Sequence, residues 1–186
     1  MPARFLLGIS GGPGSGKSTF AAGLATRLTD SGVNVAVVPM DGFHLPDAVL
    51  AERGLLESKG SPETFDRVGF ETLLGRLRDT SVNLMAPGYS RESHAVVPDA
   101  ISVRRGAQVV IVEGNYLGLW PRVRELLDEI WRIDVPWDVA RSRLIARRVA
   151  TGRQPDAAVE WVDRVDAAST ALVADSYATR VVRGAD

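Results

Sequence analysis

The stretch Gly11-Gly12-Pro13-Gly14-Ser15-Gly16-Lys17-Ser18 narrows most what this chain can become. It fills the pattern G-x-x-x-x-G-K-[ST] completely. Its setting matches too: the apolar run Phe5 to Ile9 precedes it, and Phe20, Leu24 and Leu28 follow four residues apart, at helical spacing. A buried strand feeding a glycine-rich turn and then a helix aims backbone N–H groups and a helix N-terminus at one point, which makes an anion cradle. The expected cradle runs from Gly11 to Thr19, with Gly11, Gly12, Gly14, Ser15 and Gly16 shaping it. In such a loop Lys17 would bridge β- and γ-phosphates and the Ser18 hydroxyl would ligate Mg²⁺.

The rest of the chain alternates in the same way. Val33 to Met40, Val109 to Val112, Ile130 to Val135 and Thr179 to Val182 read as further strands. Helices are expected around Phe70 to Leu77, around Val123 to Leu127, from Pro136 to about Val149 and after Pro155. Apolar strands without in/out alternation imply a parallel sheet covered on both faces, hence an α/β class. At 186 residues the chain suits one domain. Segments 42–66 and 81–100, rich in Gly and Pro, read as irregular inserts over the strand ends, and 141–156 as a hinged lid.

Composition excludes several classes. A net charge of −1 gives no global field for nucleic acid or an anionic membrane. The absence of cysteine removes disulfides, thiolate metal sites and thiol nucleophiles. No apolar run approaches the ~20 residues of a membrane span. The basic, then apolar N-terminus flows into the glycine loop, so it reads as a strand rather than a signal peptide, and a cytoplasmic location is expected. A homodimer is left open.

Other strand tips carry the remaining candidates. Asp41 closes the second strand, at the carboxyl edge that also holds the loop. A carboxylate there can take the proton of an attacking hydroxyl or help hold Mg²⁺; alternatively Asp41 is a turn residue before Gly42. Glu113 ends Val109-Val110-Ile111-Val112 alone, without the Asp-Glu pair usual in motor ATPases, which suits Mg²⁺ or its water shell. The guanine-reading Asn/Thr-Lys-x-Asp motif is absent, because the only lysines are Lys17 and Lys59. Arg143 and Arg147 share a helix face, where a phosphate chain would relieve their repulsion; the plain alternative is a solvated basic face. His44 either meets the acceptor or fills a loop, and Lys59 is either a site lysine or an exposed one. The four tryptophans are expected to pack.

Together these residues resemble the uridine kinase, phosphoribulokinase and type I pantothenate kinase group of P-loop kinases, along nearly the whole chain. Met40-Asp41-Gly42-Phe43-His44-Leu45-Pro46, Lys59-Gly60-Ser61-Pro62-Glu63-Thr64-Phe65-Asp66 and Glu113-Gly114-Asn115-Tyr116-Leu117 look most like a bacterial branch labelled nucleoside/nucleotide kinase or fructose-transport-system kinase. The resemblance implies a three-layer P-loop NTPase fold with a mostly parallel five-stranded sheet and a helical lid. It implies ATP and Mg²⁺ as cofactors and a small-molecule hydroxyl acceptor. It makes Asp41 the acceptor-activating base, with Lys17 and Arg147 as catalytic partners. It sets His44, Lys59, Asp66, Tyr89, Arg91 and Asn115 in the acceptor site. Asp66 equally suits a helix N-cap, and Tyr89 equally suits packing against the sheet. The rival expectation is an ATP-binding regulatory or accessory protein without turnover.

Overall fold

The computed structural model describes residues 4–90, 92–93 and 95–184. Strand β1 (Phe5–Ser10) leads through the glycine loop into helix α1 (Lys17–Asp30). Strand β2 (Val35–Pro39) ends in a 3-10 turn, Met40–Phe43, and the short helix α2 (Asp47–Glu52) follows. Helix α3 (Arg67–Leu77) precedes strands β3 (Leu84–Ser90) and β4 (Ala95–Val103). Next come β5 (Val109–Gly114), α4 (Pro121–Leu126) and β6 (Glu129–Asp134). The chain then forms α5 (Trp137–Ala150), α6 (Pro155–Trp161), a π-helical stretch Val162–Asp166, α7 (Ala167–Ala174) and β7 (Arg180–Arg183).

Five strands form one parallel sheet in the order β2-β5-β1-β6-β7. This is the three-layer α/β fold with a five-stranded sheet that the resemblance implied. Alternate residues of β1 serve opposite layers. Leu7 and Ile9 pack with Ala21 of α1, Ile111 and Ile133, while Leu6 joins Phe70, Leu74 and Leu77 of α3 and Val123 of α4. Each fully buried side chain of this kind contributes roughly 1.5–3 kcal/mol, so both faces of the sheet are held by burial. Below the sheet the buried Arg4 guanidinium donates to the carbonyls of Ala107, Leu77 and Arg104 at 3.1, 2.7 and 3.1 Å. Burial pushes its pKa down, against the weaker pull of Asp79.

One part of the sequence reading is corrected. Segment 81–100 reads as an irregular insert, yet β3 and β4 pair across most of it as an antiparallel hairpin. A register shift between Ala86 and Gly88 breaks the alternation that would have announced it. The hairpin leans on the Asp41 turn, where a Cβ on Gly42 would lie 2.3 Å from the Pro87 carbonyl oxygen. Among the described residues, no helix is long and apolar enough to cross a membrane.

Candidate functional site

Register fixes the first feature of the site. Glu113 of β5 stands opposite Ile9 of β1 on one side and Pro39 of β2 on the other. The chain leaves β1 for the glycine loop and β2 for Asp41 within a residue or two of that level. Adjacent strands lie about 4.8 Å apart, so loop, Asp41 and Glu113 share one edge of the sheet. Glu113 is only 7% exposed.

Gly14 and Gly16 take φ of 76° and 86°, the left-handed region that glycine enters at little cost. Gly16 is the N-cap of α1 and supplies no side-chain bond, and no acidic residue occupies the first turn. The helical ladder opens with Phe20 N–H donating to Gly16 O at 2.9 Å. The N–H groups before it have no partner within the helix, and they carry the positive end of its dipole. The Ser10 and Ser15 hydroxyls are buried beside the loop without a hydrogen-bond partner among the described residues. This donor set fits a phosphate chain.

Helix α5 lies directly on the loop: a Cβ on Gly14 would come within 2.7 Å of the Ala140 carbonyl oxygen. A small cavity of about 170 Å³ between them is lined by Gly14, Gly16, Lys17, Ser18, Thr19, Arg143 and Arg147. The repulsion expected along α5 is met partly from elsewhere in the chain. Arg141 donates to both Asp163 oxygens at 2.6 and 2.8 Å, and Arg148 donates to Asp166 Oδ2 at 3.2 and 2.8 Å. The hydrogen bond from Arg141 holds the exposed Asp163 carboxyl below its usual range and raises Arg141 in turn.

A larger cavity of about 530 Å³ joins the loop to the inserts. Lys17, Asp41 and Arg147 border it together with His44, Lys59, Tyr89 and Asn115. His44 is held by its neighbours: Leu45 N–H donates to Thr64 O at 2.9 Å and Asp66 N–H to Phe43 O at 2.7 Å. Its ring packs on Phe65 and Tyr89, with centroids 4.1 and 4.8 Å away, and its Nδ1 lies 2.8 Å from the Asp41 carbonyl oxygen. Burial pushes the imidazole pKa down, outweighing the opposite pull of Asp41. Lys59 meets Asp47 Oδ1 at 2.6 Å. Burial alone would lower its pKa, but the bond to Asp47 and the nearby Tyr89 turn the net shift upward.

One candidate falls elsewhere. Asp66 caps α3, accepting from Gly69 N–H at 2.9 Å, and lies on a separate groove beside Phe43 and Thr72. Arg91 lies outside the described residues. The cavity residues that the sequence reading did not assign to the site include Trp161, Asp47 and Asp166. The Trp161 ring meets the guanidinium carbons of Arg148, Arg153 and Arg164 at 5.3, 4.6 and 5.5 Å, so it organises cations besides packing. Its place at the end of α6, directly before the π-helical stretch Val162–Asp166, is a signal that only the backbone reveals, since π-helical turns are frequent at functional sites. Tyr116 is wholly buried and donates to Gly60 O at 2.6 Å, tying the Lys59 loop to β5. Burial pushes its phenol up to about 12.

Comparison with known proteins agrees with the fold. The family model described as phosphoribulokinase / uridine kinase matches residues 6–179. A crystal structure described as a candidate fructose transport system kinase from Silicibacter sp. TM1040 has a TM-score of 0.90 and 37% identity, covering 98% of this chain and 91% of that one. A candidate uridine kinase of Schizosaccharomyces pombe is 33% identical over 189 residues, which span 95% of this chain and 80% of that protein. The pantothenate kinase of a Nocardioides species is 40% identical over 123 residues, 65% of this chain but only 37% of that protein.

Proposed function

Since this chain belongs to the phosphoribulokinase / uridine kinase family of P-loop kinases, we propose that it moves the γ-phosphoryl group of ATP to a hydroxyl of a small metabolite. One observation carries the reading: Asp41, Lys17 and Arg147 border a single cavity at the carboxyl edge of a parallel sheet. In the proposed step the acceptor oxygen attacks the γ-phosphorus, the bond from that phosphorus to the β,γ-bridging oxygen breaks, and ADP leaves. The hydroxyl proton passes to the Asp41 carboxylate.

The loop N–H groups from Gly11 to Thr19 would hold the donor phosphates. Lys17, with Arg143 and Arg147 from α5, would offset charge on the moving group. Mg²⁺, when bound, would neutralise phosphate charge. Ser18 and Glu113, with Asp41 nearby, are the residues to hold it or its water. Among the described residues no cluster of three or more His, Asp or Glu forms a metal cage, and Mg²⁺ commonly relies on one or two protein ligands plus phosphate oxygens. Segment 141–156 would act as the lid that excludes water.

The test is ADP release from ATP across nucleosides, sugars, hydroxy acids and pantothenate. Release stimulated by a hydroxyl compound, and phosphate found on that compound, supports the kinase. Tight ATP binding with no stimulation by any member supports an ATP-binding regulator instead.

A further inference from the structure

One buried hydroxyl joins three segments around the cleft. Tyr116, two residues beyond β5, donates from its hydroxyl to the Gly60 carbonyl oxygen at 2.6 Å. A phenol has one hydrogen and a carbonyl oxygen can only accept, so that hydrogen is committed. The Ser169 hydroxyl of α7, 2.9 Å away, must then donate to the Tyr116 oxygen. Both side chains are buried, and loss of one partner from a buried bond leaves the other unsatisfied.

At its other contacts α7 reaches the phosphate loop and its cover. A Cβ on Gly12 would lie 3.0 Å from Thr170 Oγ1, one residue beyond Ser169. Asp166, directly before α7, accepts from Arg148 of α5. The links from Gly60 through Tyr116 to Ser169 therefore end on a helix that touches the loop and is tied to α5. A second tie between the same regions joins Arg164 to Glu57 at 3.0 and 3.4 Å, but it lies in solvent, where such pairs are worth little.

We infer that Tyr116 is a positioning residue: its hydroxyl couples α7 to the Lys59 loop, so that nucleotide bound at the phosphate loop orders the opposite side of the cleft. This rests on the kinase reading above. Tyr116 lines neither of the two cavities at the loop, so it acts through the segments it joins. Phosphate oxygens on the loop N–H groups fix Gly12 and draw α5 down. The freedom of α7 falls with them, and that of Gly60 follows through Tyr116. An acceptor then meets a loop already ordered, at a smaller entropic cost.

The test is amide hydrogen exchange, with and without Mg²⁺ and a non-hydrolysable ATP analogue, whose binding is measured by calorimetry. It needs no knowledge of the acceptor. The reporters are the N–H groups of Ser58, Lys59, Gly60 and Ser61, which donate to Leu55 O, Leu56 O, Thr64 Oγ1 and Ser58 O. In wild type the nucleotide should slow their exchange about three- to tenfold, the worth of roughly one hydrogen bond. Tyr116→Phe and Ser169→Ala should each still bind the nucleotide, yet bring that slowing within about twofold of none. A merely structural role would speed exchange equally in free and bound protein and leave the ratio intact. Bound nucleotide without slowing in wild type, or undiminished slowing in either variant, overturns the inference and leaves the kinase standing. No nucleotide binding by wild type overturns both.

Discussion

At the phosphate loop the chain offers main-chain N–H groups from one contiguous stretch, whereas across the cleft it offers side chains from separate segments. The wall proposed for the donor is Gly11 to Thr19, shaped by left-handed glycines and covered by α5. The wall proposed for the acceptor takes His44 from the turn after β2, Lys59 from the loop before α3, Tyr89 from β3 and Asn115 from beyond β5. Every residue type has a backbone, so the donor wall depends on conformation. The acceptor wall depends on which side chains long-range packing brings together. A phosphate chain is common to many substrates, and an acceptor is particular to one enzyme, so the division suits a family whose members act on different hydroxyls.

The largest expected effect tests the donor wall. Lys17→Ala should abolish measurable turnover while the far-UV spectrum stays unchanged; near-normal activity would remove the loop from the chemistry. Arg147→Ala comes next. Arginines on transferring phosphoryl groups are worth up to ~10³–10⁵ in rate, so single-turnover transfer should slow strongly with little change in melting temperature. An unfolded variant would instead make Arg147 structural.

Tyr116 tests how the walls are joined. Its phenol is pushed up to about 12, above the ordinary value of 10, because burial favours the neutral form. The raised pKa therefore contributes stability that is complete below pH 10 and disappears as pH rises through about 12. A shift of about two units corresponds to ~2–3 kcal/mol. Denaturant titrations at neutral and alkaline pH should show a loss approaching that size, and Tyr116→Phe should flatten it. An equally steep alkaline loss in that variant would remove Tyr116 from the account.

Asp66 gives the smallest effect. As the N-cap of α3 it should cost ~0.5–2 kcal/mol on replacement by alanine, with kcat/KM changed less than about twofold. A large rise in acceptor KM at unchanged stability would return Asp66 to the acceptor wall.

The same contrast explains what the amino-acid sequence reveals by itself. The donor loop is local, and its glycines, lysine and serine stand in fixed order, so it is legible in the sequence alone. The strands are legible because β1 and β5 are short apolar runs. Asp41 and Glu113 are legible because parallel strands end at one edge. The hairpin is not, since the shift between Ala86 and Gly88 and the exposed outer face of β4 remove its alternation. The charge balance of α5 is only half legible. No acid stands among the arginines from Arg141 to Arg153, yet Asp163 and Asp166 reach Arg141 and Arg148 from 22 and 18 residues onward. Trp161 reads as packing because the arginines it gathers come from three places in the chain.

The most direct measurement of the central claim is acceptor-stimulated ADP release by Asp41→Asn, with ATP binding measured on the same protein. The account expects ATP affinity within a few fold of wild type and transfer slower by ~10²–10⁴, the usual worth of a general base. Transfer at the wild-type rate would contradict it, leaving Asp41 a turn residue at the edge of the sheet.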